Sequence, residues 1–375
     1  MSEHKEAAGI VHGSCVSLWS ICYNMDANKE TAGQLGLLKN LQAALQHHAG
    51  SADVMEAACG ALWCIFTNIP ANQEEGGRLG LLSDLQNVLR HNMSSCEIIF
   101  TVLGALRNLS GNVVANKEEL RRLNLLADVK HVLGHHAKVV DLIVQACWVV
   151  RNACTNFPSN KAESDRLELL SEIQKILWQH FQVEGVAEAA CGVVWSICAN
   201  SAATKEEAGQ LGLLQDVQMV LNQHNGSASV AEAACGAIWS ICANNTGNQV
   251  DAMLMGLMNE VGYVLKEHIG CAEISEVACG AINAISTTVN CKIHVAGHIS
   301  LLADVQKALR QHIGSVEIAT QACAAVRTLC ANDSGNKEAA ALLNVLDDLH
   351  VVLQRHNSQQ VSQLAQDAIF SISHV

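Results

Sequence analysis

Sixteen cysteines are the side chains of this 375-residue sequence with the most evident capacity for chemistry, because thiols form disulfides and bind zinc. Ten of them form pairs seven residues apart: Cys15/Cys22, Cys147/Cys154, Cys191/Cys198, Cys235/Cys242 and Cys323/Cys330. Seven residues of helix rise ~10 Å, which is too far for a disulfide, and the spacing is not the CxxC of a zinc site. We therefore interpret the cysteines as small buried apolar residues in a reducing compartment.

Histidines recur with the same regularity, at His4, His48, His136, His180, His224, His268, His312 and His356. Each falls at the end of a predicted helix, where an imidazole can bond free carbonyl groups and favours the negative end of the helix dipole. Neighbouring helices pack about 10 Å apart, so successive histidines are too distant to share a metal ion with bonds of about 2 Å. We predict that they close helices and give stability a modest response to acid.

Motifs of the common catalytic sites are absent: there is no nucleophile elbow, phosphate-binding glycine loop or HExxH sequence. The glycines instead recur at one phase of a repeat, which indicates a structural role. We predict that the chain is not an enzyme and needs no cofactor or metal.

A repeat of 44 residues positions all of these side chains. The phrase EAACGALWCIFTN at 56–68 returns in close copies at 188–200 and 232–244. With Cys59 as the reference position, its equivalents are Cys15, Leu103, Cys147, Cys191, Cys235, Cys279, Cys323 and Asp367. Nine reference positions at one fixed spacing indicate a repeat protein with a continuous core.

Composition narrows the class of protein. Hydrophobic residues make up 50% of the chain, aromatic residues 3%, and there are two prolines, which suits short helices stacked closely together. The net charge of −13 disfavours binding to nucleic acid or to an anionic membrane. We find no signal peptide and no apolar run near the ~18 residues of a membrane span. We expect a soluble cytoplasmic protein, with the nucleus as the alternative location.

Residues 72–112 illustrate the helices of one repeat. Asn72 with Glu75 resembles a capping sequence that begins a short helix ending at Leu79, and Gly80 then supplies a left-handed turn. A second helix with a 3.6-residue apolar period follows, and a third and longest helix is predicted near 96–110. Glu168 and Ser300 stand where other repeats have glycine or asparagine at the turn, so we expect local adjustment there.

Three helices per 44 residues, with A-L-x-N-L in the third helix and N-x-x-x-N after it, resemble the armadillo-repeat family. The resemblance covers the whole chain and is closest at 105–110 and 148–152. Pro70 and Pro158 also fall where many armadillo repeats have proline. HEAT-type repeats are the alternative, because armadillo repeats are often nearer 42 residues, but the short first helix and the glycine turn favour armadillo.

The resemblance implies an all-α, right-handed superhelical solenoid. We predict a single domain over 1–375, with a lone third helix at about 6–24 and eight repeats at about 28–68, 72–112, 116–156, 160–200, 204–244, 248–288, 292–332 and 336–375. Neither end has an evident polar cap, so we expect a segment of a longer protein or ends covered by a partner, including end-to-end self-association. The unit around 283–298 departs most from the pattern, which suggests a weak point in the stack.

In an armadillo-like fold the third helices line a concave groove. Counted from the reference position, −3, +1, +4, +5 and +8 share one helical face, and the reference position with +3, +6 and +7 shares the other. The second face is the predicted core, exemplified by Cys59, Leu62, Ile65 and Phe66. The first face is the predicted peptide-binding groove: Trp19, Trp63, Arg107, Asn108, Trp148, Arg151, Asn152, Glu188, Trp195, Glu232, Trp239 and Arg327.

Two chemistries are combined on this face. Tryptophan with glutamate is suited to Lys or Arg side chains, since each cation–π contact contributes ~0.5–2 kcal/mol, and this pattern is similar to importin-alpha. Arg107 and Arg151 beside Asn108 and Asn152 look like a beta-catenin-type stretch suited to an acidic segment. In the armadillo-repeat family the asparagine at +5, here called the ladder asparagine, binds the backbone of an extended peptide. Most other repeats of this chain lack it, which argues against one uniform series of such contacts. The alternatives are that the tryptophans belong to the core and that the glutamates only stabilise helix N-termini.

We predict a scaffold that binds extended segments of partner proteins, with basic segments favoured at the Trp/Glu repeats. One alternative is a nuclear transport adaptor for basic cargo. Another is the interaction module of a larger kinase or ubiquitin ligase.

Overall fold

A computed structural model describes residues 6–287, 298–331 and 333–374, without the side chains of residues 298–299. Over these ranges the regular elements are 24 helices, which confirms the predicted all-α class. They are α1 Ala8–Cys22, α2 Asp26–Gln34, α3 Leu37–His47, α4 Ala52–Phe66, α5 Pro70–Arg78, α6 Leu81–His91, α7 Cys96–Leu109, α8 Val114–Arg122, α9 Leu125–His135, α10 Val140–Cys154, α11 Pro158–Arg166, α12 Leu169–His180, α13 Glu184–Cys198, α14 Ala202–Leu211, α15 Leu213–Gln223, α16 Ala228–Cys242, α17 Thr246–Leu254, α18 Leu257–Glu267, α19 Ala272–Ser286, α20 His298–Gln311, α21 Val316–Cys330, α22 Ser334–Leu342, α23 Val345–Arg355 and α24 Gln359–Ser373.

The helices alternate in three lengths, as the sequence predicts. Long helices carry the reference positions, and over the described residues a short helix and then a middle helix follow each long helix from α1 to α16, and again α21. The predicted short helix at the start of the repeat 292–332 lies outside the described residues, as do His4 and most of the divergent unit 283–298. No helix within the described ranges has both the length and the apolar character needed to cross a bilayer.

Compact packing divides the chain into two units, Met1–Ile176 and Leu177–Val375, and the division falls within α12. Unit 1 is built from α1 to α11 and unit 2 from α13 to α24. The single domain over residues 1–375 remains a prediction.

The predicted core positions are buried. Cys59, Leu62, Ile65 and Phe66 are all 0% exposed, and the same holds for the reference cysteines of α10, α13 and α16. Burial alone raises the pKa of Cys147 to about 12, so this thiol stays protonated at neutral pH. The cysteines therefore behave as small core residues whose volume suits close helix packing.

The short helices begin earlier than the sequence suggests. Pro70 occupies the first turn of α5, where its missing N–H costs nothing, and Asn72 consequently lies inside the helix. Instead of capping it, Asn72 is buried and donates its amide to the carbonyls of Lys29 (2.8 Å) and Ile65 (3.1 Å). The predicted capping role of Asn72 is wrong, because the buried amide bonds two neighbouring helices instead.

Left-handed residues connect the short and middle helices. Gly80 has φ 79°, and Asn124 takes the same conformation with φ 54°. Glu168 also adopts φ 52°, so the turn keeps its shape there and the expected local adjustment is wrong. Ser300 differs, because it lies inside α20 rather than at a turn.

Polar side chains join neighbouring repeats within each of the two units. Lys117 donates to the carbonyl of Thr155 at the end of α10 (2.6 Å), which neutralises the negative end of that helix. His136 follows α9 as predicted, but its Nε2 bonds the carbonyl of Met93, 43 residues earlier (2.8 Å). His224 bonds Phe181 (2.7 Å) in the same way, and His312 and His356 repeat the arrangement, so these histidines bond the preceding repeat rather than the free carbonyls of their own helix.

Candidate protein-binding surface on the long helices

The predicted binding residues share one property, which is partial exposure. Each of the following is half-buried: Trp19, Trp63, Arg107, Asn108, Trp148, Arg151, Asn152, Glu188, Trp195, Glu232, Trp239 and Arg327. Glu56 and Glu276, at the −3 position of α4 and α19, are half-buried as well. We call this set of fourteen residues the long-helix face. It contrasts with the fully buried core positions of the same helices.

Each tryptophan at +4 packs on the glycine at +1 of the next long helix. A Cβ atom added to Gly104 would lie 2.3 Å from Cδ2 of Trp63, and one added to Gly280 would lie 2.6 Å from Cδ2 of Trp239. Trp19 on Gly60 and Trp195 on Gly236 repeat the arrangement. The missing side chain lets the indole lie against the neighbouring backbone while part of the ring stays exposed.

The −3 residue of the next long helix borders the indole of Trp63. Phe100 occupies that position in α7, and its ring meets Trp63 edge-on at 5.3 Å between centroids. Glu232 and Glu276 hold the same position in the repeats that follow Trp195 and Trp239. Phe100 was absent from the sequence prediction, although its place in the −3 column could have identified it.

Carboxylates accumulate on the part of this face that belongs to unit 2. The pKa of Glu276 is raised, first by burial and then by the negative charges of Glu317, Glu232 and Glu273. Repulsion among like charges means that a cation placed here would be stabilised.

In unit 1 the pattern is inverted around Trp148. Trp148 stands at +1, where other repeats have glycine, and the preceding +4 residue is Arg107 instead of tryptophan. The Arg107 guanidinium lies 4.4 Å and the Arg151 guanidinium 4.6 Å from the centroid of the Trp148 ring. The chain's own cations therefore stack on this indole, and the local charge is positive.

The ladder asparagines bond to their own chain. Asn108 donates to the carbonyl of Trp63 (3.0 Å) and to the hydroxyl of Thr67 (2.7 Å), and Asn152 donates to the carbonyl of Arg107 (2.8 Å). These bonds tie neighbouring long helices together, so an asparagine that clasped a partner would have to exchange them. Arg327, on α21, forms an ion pair with Asp367 (3.8 Å).

The fold and these positions can be compared with known proteins. The family model described as the LRRK2 ARM repeat matches residues 153–367, more than half of the chain. The chain belongs to this armadillo-repeat family. The match confirms the resemblance inferred from the sequence, and the matching family is a repeat family rather than a catalytic one.

Solved structures share the armadillo-repeat fold at low sequence identity. One, from a study of a phosphorylation switch in the interaction between cadherin and beta-catenin, has a TM-score of 0.72 at 17% identity and covers 97% of this chain and 75% of its own. An engineered protein has a TM-score of 0.67 at 13% identity, covering 98% of this chain and 96% of its own. A comparison with curated protein sequences found no match. At these identities the likeness shows the fold alone.

The armadillo-repeat chain also carries an exposed tryptophan away from the long-helix face. Trp178 on α12 is 63% exposed, and its Nε1 donates to Asp216 at 2.5 Å. With Phe181 and Met219 it lines a depression of about 780 Å³. The sequence prediction did not include Trp178. Its bond to Asp216 is the counterpart of the bond between Arg90 and Asp128 in unit 1.

Proposed function

We propose that this armadillo-repeat chain is a protein-interaction scaffold that holds extended segments of partner proteins along the long-helix face. The proposal is supported by half-exposed aromatic and charged side chains at one position of successive repeats. A protein of the same fold takes part in the interaction between cadherin and beta-catenin. Many modest contacts spread over successive repeats suit a partner without a folded structure of its own.

The Trp/Glu part of the face in unit 2 favours a basic segment. The observation that carries this assignment is the accumulation of carboxylates around Glu276, in the repeat that follows the half-exposed Trp239. A Lys or Arg side chain there would gain both charge complementarity and a cation–π contact. Glu188, Glu232 and Trp195 repeat the same residue types one and two repeats earlier.

Peptide titration tests this assignment. We expect a labelled Lys/Arg-rich peptide to bind, a Glu/Asp-rich peptide of equal length not to bind unit 2, and affinity to fall with salt. Glu232→Gln with Glu276→Gln should weaken the basic peptide about fivefold to tenfold, because two charge-assisted contacts are lost. Fluorescence anisotropy measures both affinities.

The matched control is Glu267→Gln, which removes an exposed carboxylate from α18 in the same unit. It should leave the affinity unchanged. Because the pKa of Glu276 is raised, this carboxylate loses its charge at a higher pH than an ordinary glutamate. Binding should therefore weaken as the pH falls, and part of that dependence should vanish in Glu276→Gln. Equal affinities for the double variant and the wild type would refute the assignment.

Tryptophan substitutions give an independent measurement. Trp239→Phe should weaken the basic peptide because phenylalanine offers a smaller cation–π surface, whereas Trp178→Phe on α12 should not. Unfolding of Trp239→Phe would indicate that the ring serves packing on Gly280 alone.

The Arg107–Trp148–Arg151 stack in unit 1 supports a second specificity, for acidic segments. Two guanidiniums held at one indole present fixed donors to a carboxylate. Arg107→Lys with Arg151→Lys keeps the charge but removes the forked geometry, so weaker binding of the acidic peptide would support this assignment. The transport-adaptor hypothesis requires basic cargo alone, and strong binding of the acidic peptide would argue against it.

A further inference from the structure

Two histidines lie one helical turn apart at the end of α9. His131 and His135 are four residues apart on this helix, and their rings face each other with centroids 5.8 Å apart and planes inclined by 29°. Side chains four residues apart on a helix project from the same face. Both side chains are exposed, so rotation about their side-chain bonds can bring one nitrogen of each ring to a common metal ion.

This arrangement differs from the equivalent position in the two preceding repeats. His47 and His91 correspond to His135, and each bonds the carbonyl four residues earlier, at Ala43 (2.8 Å) and Asn87 (2.7 Å). Over the residues that the structure describes, His135 makes no bond of this kind; its ring instead stacks on His131 and meets the ring of His136 edge-on, with centroids 4.8 Å apart. The imidazole pair is therefore a feature of this repeat and not of the repeat pattern.

The surroundings of the pair are open and hold one carboxylate. His131 and His135 line a depression of about 530 Å³ together with Glu172 from α12, within unit 1. A Cβ atom added to Gly134 would lie 3.9 Å from Oε1 of Glu172, so the carboxylate is close to this turn of α9. Lys175 pairs with Glu172 (3.1 Å), and Lys130 at the rim donates to the carbonyl of Leu167 (2.5 Å).

We propose that His131 and His135 form a binding site for one divalent late-transition-metal ion such as Zn²⁺. Imidazole nitrogen is a preferred ligand of these ions, and two histidines four residues apart on a helix recur in protein zinc sites. No cluster of three or more His, Cys, Asp or Glu side chains close enough to hold a metal ion occurs over 6–287, 298–331 and 333–374. The protein therefore supplies two ligands and water completes the coordination, beside the ion pair of Glu172 with Lys175. Acid opposes binding, because protons compete for the same nitrogens.

Calorimetric titration of the full chain with ZnCl₂ tests the site. We expect one saturable site in the wild type, and loss of about tenfold or more in affinity in His131→Ala and in His135→Ala, because each removes one of two protein ligands. His91→Ala is the matched control, since it removes the equivalent histidine from the preceding repeat without altering the pair. It should bind as the wild type does. Zn²⁺ should also raise the Tm of the wild type and of His91→Ala, but not of the two site variants.

Cys96 and His136 are the competing pair, because Cys96 Sγ lies 3.9 Å from His136 Nδ1. Cys96→Ser should leave the affinity for Zn²⁺ unchanged. Loss of binding in Cys96→Ser with retention in His131→Ala would overturn the proposal, as would equal binding by all variants or no saturable binding. None of these outcomes bears on the peptide-binding proposal, which rests on other residues.

Discussion

Single side chains at fixed phases of the repeat decide how closely the long helices approach. Gly104 is the clearest case, since the Trp63 indole occupies the space of its missing Cβ. A substitution at such a position acts through the neighbouring repeat as much as through its own.

Gly104→Ala should destabilise the chain by about 1–3 kcal/mol, because the new methyl group would lie 2.3 Å from Trp63 and force the indole away. Gly134→Ala is the control in a helix of the same unit, where the new methyl group would meet only Glu172 at 3.9 Å. It should stabilise by up to about 1 kcal/mol through helix propensity. Urea denaturation measures both, and a Gly104→Ala variant as stable as the wild type would contradict the packing argument.

At the scale of elements, buried amides hold the short helices against the long ones. Asn116 in α8 donates to the carbonyl of Gln73 in α5 (2.9 Å) and to that of Leu109 at the end of α7 (2.8 Å). Asn248 makes the equivalent pair of bonds in unit 2. One side chain thus bonds carbonyl groups on two helices, and one of them, at Leu109, belongs to the last turn of α7, where the helix itself supplies no donor.

Asn116→Ala should cost about 2–4 kcal/mol, because two buried hydrogen bonds are lost and the carbonyl of Leu109 is left without a donor. Asn28→Ala is the matched control, since Asn28 holds the equivalent position in α2 but makes one solvent-exposed bond, to Ile21. That variant should lose at most about 1 kcal/mol. Asn116→Thr should fall between them, because Thr204 at the equivalent position in α14 keeps the bond to its long helix, at Ile197 (3.1 Å). Equal losses for Asn116→Ala and Asn28→Ala would contradict this role.

At the scale of the whole molecule, the burial of the cysteines shows how tightly the repeats pack. Of the described cysteines, thirteen are buried and only Cys96 and Cys271 are half-buried. Burial raises the pKa of buried thiols such as Cys235 to about 12, so they react slowly for two reasons, low access and low thiolate content.

Native protein carrying Cys291→Ser, which removes the cysteine outside the described residues, should show two rapidly reacting thiols in an aromatic-disulfide assay. Denaturant should release the other thirteen together with the unfolding transition. Cys96→Ser and Cys271→Ser should each remove one rapid thiol. Rapid reaction of more than two thiols under native conditions would mean that the repeats open far more readily than their burial implies.

The sequence by itself determined the 44-residue period, the three helices of each repeat that the structure describes in full, the left-handed turn at Gly80 and the buried face at Cys59. These features depend on residues near one another in the chain, and nine copies of one reference position strengthen a local pattern that a single copy would leave ambiguous. The same repetition identified the armadillo-repeat family.

Only the tertiary structure decided which polar groups pair between repeats. Asn72 looked like a helix cap, and its bond to Lys29 appears only when two repeats are stacked. The acceptors of the histidines, the tryptophans lying on glycines, and the charge inversion at Trp148 follow the same rule. The partners of these side chains lie some forty residues away in the chain. A buried donor bonds whichever carbonyl the packed helices bring within about 3 Å, and the local periodicity of the sequence does not specify that carbonyl.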